Sequence, residues 1–444
     1  MFELSGETSG LRDARAYRWR VRAHASAPVQ LSDAVDALRF IADGDDLVVS
    51  MANGEPAVLL DAVIAGAAAG EVHGLTVHQM HPRTGRPSMT GELAGHIEHT
   101  SYFLSGPDRP NVGHGVTFVP ANFSEVPAII RRRAKHPLVL AAVAEREGRL
   151  YWGTNAEYAA ALVRDGVPLI AEVNAQMPHL PACPIPAERV LAVVHTDHPL
   201  HTAASKPASP EDERIAHLVA ERIPSGSTLQ IGVGAVPDLV CSTLRHDRQM
   251  LRIHSELFSD GMMDLIEADA TSCSALRPAV ATFALGSERL YAFMDGNPAV
   301  YLAPVDEVNE PARIASQPRM VSICATTEVD LYGQCASATV SGRWYSGSGG
   351  QLDFMRGVHM AEDGTGFMVL RATLRDGSSR IKPTLAPFSA VTTGVHFVDK
   401  VVTEFGVAEL ADRSLSERAR ALIAIAAPEH RDQLTFQARA QHLL

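Results

Sequence analysis

The chain has 444 residues, 46% of them hydrophobic and 20% charged, and a formal net charge of -12. Its longest basic run is Arg131-Arg132-Arg133, which excludes the clustered positive surface that nucleic-acid binding requires. Five cysteines, an odd count with no CxxC pair, exclude a disulfide scaffold and point to a reduced, cytoplasmic protein.

Residues 1–22 mix charges without an apolar core, so they do not read as a signal peptide; the first 25 residues are expected to be a partly mobile extension. No apolar stretch approaches the ~20 residues of a membrane span, so no membrane is expected. Beyond the extension, short apolar runs alternate with amphipathic ones. Strands are predicted at 47–50, 75–77, 115–119, 138–142, 169–171 and 190–194, and helices at 56–69 and 156–163. This alternation predicts an α/β fold with largely parallel sheets. The stretch 199–213 holds Pro, Ser, Lys and Asp and little that could pack, and marks a domain boundary. The expected division is therefore 1–25, 26–205 and 206–444.

An internal repeat supports two related halves. Residues 41–49 lead to Gly54, Pro56 and a helix, and residues 223–231 lead to Gly234, Pro237 and a helix, with a one-residue slip before the proline. A site between the halves is then expected. Near the end, residues 414–426 predict a helix with Ser414 as N-cap and Glu417 completing a capping box.

Three segments could carry chemistry. In Gln230-Ile231-Gly232-Val233-Gly234-Ala235-Val236-Pro237-Asp238 a strand ends in a glycine turn, and Pro237 suits the first turn of a helix. Such amides can hold a phosphate or an oxyanion, or the turn can be empty; the third glycine of a dinucleotide fingerprint is missing, which argues against a nicotinamide dehydrogenase. Next, His254-Ser255-Glu256 follows a predicted strand, where open α/β sheets bind ligands. Glu256 is there either a covalent nucleophile or a surface carboxylate. Third, Ser346-Gly347-Ser348-Gly349-Gly350-Gln351 permits close approach of backbone to a ligand, or is a flexible loop. His195, His198 and His201 cluster, as do His179 and Cys183, without a second ligand pair, so no metal site is expected.

Taken in order with Ala171-Glu172-Val173-Asn174, Asn297-Pro298, Glu328-Val329-Asp330-Leu331 and Thr403-Glu404-Phe405-Gly406, these segments resemble the acetyl-CoA hydrolase/transferase family, close to its 4-hydroxybutyrate CoA-transferase branch. The resemblance runs from about residue 30 to the C-terminus. It implies two CoA-transferase-type α/β domains with the active site between them, Glu256 as the catalytic glutamate, and Gly232, Val233, Gly234, Ala235 and Val236 as a CoA-contacting loop. It also implies that the Gly350 amide holds the thioester carbonyl, with Ser346 and Gly349 beside it, that Arg375 stands near CoA where relatives often carry Lys, and that Glu404 is a second carboxylate near the acyl site. The substrates implied are acyl-CoA and a small carboxylic acid, with no permanently bound cofactor, and the assembly a homodimer or larger homo-oligomer. A hydrolase on the same scaffold, or a non-catalytic acyl-CoA binding protein, are the alternatives. Two positions depart from the family pattern. Ile323-Cys324-Ala325-Thr326 stands where relatives often read Ile-Asn-Ser-Ala, and Cys335-Ala336-Ser337-Ala338 follows Gly333-Gln334 where relatives often continue Asn-Ala-Glu.

Overall fold

A computed structural model describes residues 27–203, 207–232, 234–271 and 279–444. The expected extension 1–25, the boundary at 205/206 and Val233 lie outside the described residues. Two large sheets organise the chain. The first comprises β1 (Val29–Gln30), β2 (Asp46–Val49), β3 (Leu75–Gln79), β4 (Ile97–Ser101), β5 (Val116–Phe118), β6 (Pro137–Arg146), β7 (Arg149–Tyr151), β8 (Leu169–Asn174) and β9 (Val190–Thr196). Its order is β1-β9-β8-β6-β2-β3-β4-β5, every pair on that path parallel, with β7 antiparallel to β6. All four residues of β2 and the first eight of β6 are buried. Strands covered on both faces read as unbroken apolar runs, which is why the sequence marks them so clearly.

The second sheet comprises β10 (Thr228–Ile231), β11 (Arg252–His254), β12 (Ala279–Ala281), β13 (Val300–Leu302), β14 (Met320–Ala325), β15 (Thr365–Val369), β16 (Lys400–Thr403) and β17 (Gly406–Glu409). Its order is β13-β12-β11-β10-β14-β15-β16-β17, parallel except for the last pair. In each sheet the first long strand is central, the next three run outward on one side, and the chain then returns to the other side. The repeat seen in the sequence is thus a repeat of topology, with β2 and β10 as its central strands.

Each central strand leads into a helix: α1 (Ala57–Ala69) after a short 3-10 turn, and α2 (Ala235–Asp247), which carries Pro237 in its first turn. Gly70 closes α1 at φ +75°, a conformation that costs a glycine nothing. The stretch expected to be unpacked up to residue 213 ends earlier. Ser209 caps the helix Pro210–Ala220 through a capping box with Asp212, which is 5% exposed. The helix Leu415–Ala424, next to last in the chain, begins at Ser414 with the Glu417 capping box in place.

The sheets meet at their C-terminal edges. Ala156 and Glu157 N–H donate to Thr282 O, Ala284 N–H donates to Thr154 O, and Asn53 Nδ2 donates to Tyr291 OH at 2.8 Å. One apolar cluster runs through this seam from Val48, Phe123 and Tyr158 to Leu229, Ile253 and Phe258. No helix among the described residues is long and apolar enough to cross a membrane.

Candidate active site

Glu256 stands two residues beyond β11, where the ladder still holds its backbone. Ser255 N–H donates to Val280 O at 3.0 Å, and Thr282 N–H donates to Glu256 O at 3.0 Å. The carboxylate therefore leaves a rigid strand end at the seam. It faces a cavity of about 650 Å³ lined by Gly232, Gly234, Ala235 and Val236 on one side, Ser346, Gly349 and Gly350 on another, and Arg375 at a third.

Asn309 Nδ2 donates to Glu256 Oε2 at 2.8 Å, and the Gly350 amide also bonds the carboxylate. Glycine at 350 is a steric requirement. A Cβ there would lie 2.1 Å from Glu256 Oε2 and 2.2 Å from Asn309 Nδ2. Burial pushes the Glu256 carboxyl up to about 7, against the opposing pull of the Asn309 and Gly350 hydrogen bonds. The neighbouring His254 does not line the cavity. Its Nε2 is 2.7 Å from Val308 O, and burial lowers its pKa to about 4. Asp260 is likewise engaged, accepting from Ser287 N–H at 2.9 Å.

The glycine loop 346–350 belongs to the second half but is fastened by the first. Gly349 O accepts from Phe123 N–H at 3.0 Å, and Ser348 Oγ donates to Ala121 O at 2.7 Å. In the helix that follows, Gln351–Met360, buried Asp353 accepts from Ser124 N–H at 3.0 Å and Ser124 Oγ at 2.8 Å. Burial raises the Asp353 carboxyl to about 7. Phe103, from the end of the first sheet, closes the cavity against this loop; a Cβ on Gly349 would lie 3.5 Å from its ring and 3.6 Å from Glu256 Oε1.

At the opposite end three arginines reach the cavity: Arg371, Arg375 and Arg380. Arg371 is paired in a fork with Asp212, Nε to Oδ1 at 2.9 Å and a terminal nitrogen to Oδ2 at 2.5 Å. The buried Arg380 Nε has no hydrogen-bond partner among the described residues. An anion is the group such an end can hold.

The structure thus brings Glu256, Gly232, Gly234, Ala235, Val236, Ser346, Gly349, Gly350 and Arg375 to one cavity. Glu404 is the exception. Expected near the acyl site, it does not line the cavity; its Oε2 accepts from Ala372 N–H at 2.9 Å and so anchors the segment that carries the arginines. Cys324 lines the cavity, whereas the other departure, Ala338, is buried, with its N–H donating to Thr392 Oγ1 at 3.1 Å. Sequence reasoning missed Asn309, Arg371, Arg380 and Phe103. None has a local signature: each reaches the site only because separate strands and helices end at the seam.

Comparison with known proteins shows which chains this one is similar to. The profile of the acetyl-CoA hydrolase/transferase C-terminal domain matches residues 286–438. The chain is 37% identical to succinyl-CoA:cyclohexane-1-carboxylate CoA transferase of Geobacter metallireducens over 434 residues, 96% of this chain and 97% of that one. It is 35% identical to 4-hydroxybutyrate coenzyme A transferase of Clostridium kluyveri, over 91% of this chain and 96% of that one. Among solved structures, RipA from Yersinia pestis superposes with a TM-score of 0.87 at 32% identity, covering 94% of this chain and 98% of RipA.

Proposed function

The chain belongs to the acetyl-CoA hydrolase/transferase family, and from that premise we propose that it is a CoA-transferase that moves CoA from an acyl-CoA to a free carboxylic acid through a glutamyl-CoA thioester on Glu256. The observation that carries this reading is the placement of Glu256, a partly buried carboxylate held through Oε2 and turned toward a cavity with an anion-binding end.

The chemistry balances without a cofactor. An oxygen of the Glu256 carboxylate attacks the thioester carbonyl carbon; the C–S bond breaks, and an acyl-glutamyl anhydride and CoA thiolate result. The thiolate attacks the glutamyl carbon, the anhydride C–O bond breaks, and the first acid leaves. A second carboxylate displaces the thiolate from glutamyl-CoA to form a new anhydride. The thiolate then takes the new acyl group, and Glu256 returns to carboxylate. One difficult exchange becomes a series of easier steps with ping-pong kinetics. Each tetrahedral intermediate gathers charge on an oxygen beside the Gly350 amide and Asn309, and one such donor typically contributes ~3 kcal/mol. Binding of the CoA phosphates by the arginine end can drive the strained anhydride step at the other end.

Intact-mass analysis after incubation with a panel of acyl-CoAs, without acceptor, tests this reading. The expected result is a CoA adduct on the peptide carrying Glu256 that a carboxylic acid removes. Steady release of free CoA with no adduct indicates a hydrolase instead, and CoA binding with neither adduct nor turnover indicates a binding protein.

A further inference from the structure

The strand register lays out the floor of the cavity residue by residue. Gln230 on β10 is paired with Ser322 on β14, and the β10–β11 register carries Gln230 alongside His254. Side chains two residues on share the same face. The next row therefore reads Glu256, Gly232, Cys324 across β11, β10 and β14. Glycine in the middle leaves a gap between the carboxylate and the thiol, and a Cβ on Gly232 would meet nothing within 4 Å. At ~4.8 Å per strand the two flanking strands are about 10 Å apart. Gln230 is the floor of that gap, 6% exposed and part of the cavity wall.

Its carboxamide is held on one side only. Ser322 Oγ donates to Gln230 Oε1 in a short contact, and Cys324 Sγ lies 3.7 Å from the same oxygen. Burial pushes the Cys324 thiol up to about 12, so it keeps its proton and can donate. With the oxygen taken, the Nε2 group is the remaining donor; it makes no hydrogen bond to the described residues and belongs to a side chain that lines the cavity. A nine-tenths-buried amide with one end fixed and the other unpaired at a cavity wall is a built donor site.

Length decides what it meets. The cavity crosses the strand ends from Glu256 on β11, over β10 and β14, to the arginines that follow β15. With the thioester carbon at Glu256 and phosphate at the arginines, the middle of the path falls to the linker between them. In a pantetheine arm the first amide carbonyl follows the sulfur by four bonds, about one strand spacing away. We propose that Gln230 is a CoA-recognition residue whose Nε2 donates to the first amide carbonyl of the pantetheine arm, with Ser322 and Cys324 fixing its orientation. This rests on the reading of the cavity as a CoA site. It also gives Cys324 a purpose: a thiol, unlike the asparagine common among relatives, brings no second amide to compete for Gln230.

Binding of free CoA measured by titration calorimetry tests this apart from catalysis. Gln230→Leu is expected to weaken CoA about tenfold, the loss of one hydrogen bond that leaves a carbonyl unpaired. Gln230→Glu should weaken it further at pH 8, by setting an oxygen against the carbonyl. Ser322→Ala, which only frees the amide to rotate, should lose a few-fold. The Gln230→Leu penalty should persist for an acyl N-acetylcysteamine thioester, which keeps the first amide, and vanish for an S-ethyl thioester, which lacks it. CoA affinity of a folded Gln230→Leu protein within twofold of the parent overturns the proposal, as does an equal penalty on both thioesters. If the parent binds CoA but forms no glutamyl adduct, the transferase reading fails while the Gln230 assignment is still decided. If the parent binds no CoA, both fail.

Discussion

Two glutamates, one from each half of the molecule, one fully and one partly buried, have their carboxyls raised alike and have opposite fates. Burial raises both Glu157 and Glu256 to about 7. Glu157 is 0% exposed and saturated: Ser50 Oγ and Met51 N–H donate to Oε1, and Ala159 N–H donates to Oε2 at 2.8 Å. Glu256 has Asn309 and the Gly350 amide on one side and a cavity on the other. A shifted pKa therefore does not mark a nucleophile; an unsaturated edge facing a cavity does. The halves differ in the same way at equivalent positions of the repeat. Ser50 occupies the place of Gly232 and Met80 that of Glu256, so the first half has no gap for a ligand and no carboxylate to reach into one.

That contrast can be broken most severely at Glu256. Glu256→Gln is expected to lower CoA exchange at least a thousandfold, whereas Glu157→Gln should stay within about tenfold of the parent and instead lose about 2 kcal/mol of stability, because an amide nitrogen would face a backbone N–H. Exchange rates and denaturant melts of both variants decide this; equal rate losses would erase the distinction. Gly350→Ala, with its Cβ inside contact distance of the carboxylate, should cost about a hundredfold in turnover at unchanged CoA affinity. Next comes pH. Glu256 attacks as the anion, so turnover should rise through about pH 7, with a limb that reports its raised pKa.

The same shift has a signed effect on stability. Between the unfolded value of 4.5 and about 7 the folded chain binds the extra proton, so stability falls as pH rises through that window and the full cost is present above it. Glu256→Gln should therefore be about 2 kcal/mol more stable than the parent at pH 8, allowing for water in the cavity, and no more stable at pH 4. Urea melts at the two pH values check this. The smallest effect is expected at Glu404. Glu404→Ala frees the Ala372 amide and should raise the KM for acyl-CoA a few-fold while leaving kcat alone; a fall in kcat at unchanged KM would return Glu404 to the acyl site.

How much of this was legible depended on where each signal lies. The buried parallel strands announced themselves as apolar runs, Ser414 and Glu417 as a local cap, and the repeat as matching strand–turn–helix phrases. Each needs only a few adjacent residues. Glu256 and the two glycine loops stood out through resemblance and lie at one cavity. Asn309 was invisible because it reaches Glu256 across 53 residues of chain, from the turn after a four-residue helix. Arg371 and Arg380 were indistinguishable from other arginines until the strand order set them at the cavity end. Glu404 shows the converse: a family-matched carboxylate whose partner, the Ala372 amide, no sequence pattern could name.

The fastening of loop 346–350 to residues 121–124 has a consequence for heating. The glycine that touches Glu256 is made by one half of the chain and held in place by the other, through a few hydrogen bonds across the seam. A separation of the halves by about an ångström would leave both sheets intact and still withdraw the Gly350 amide from the carboxylate. Turnover should then fade on warming before circular dichroism registers any loss of helix, and return on cooling. The gap between the two curves would measure how tightly the halves are clasped.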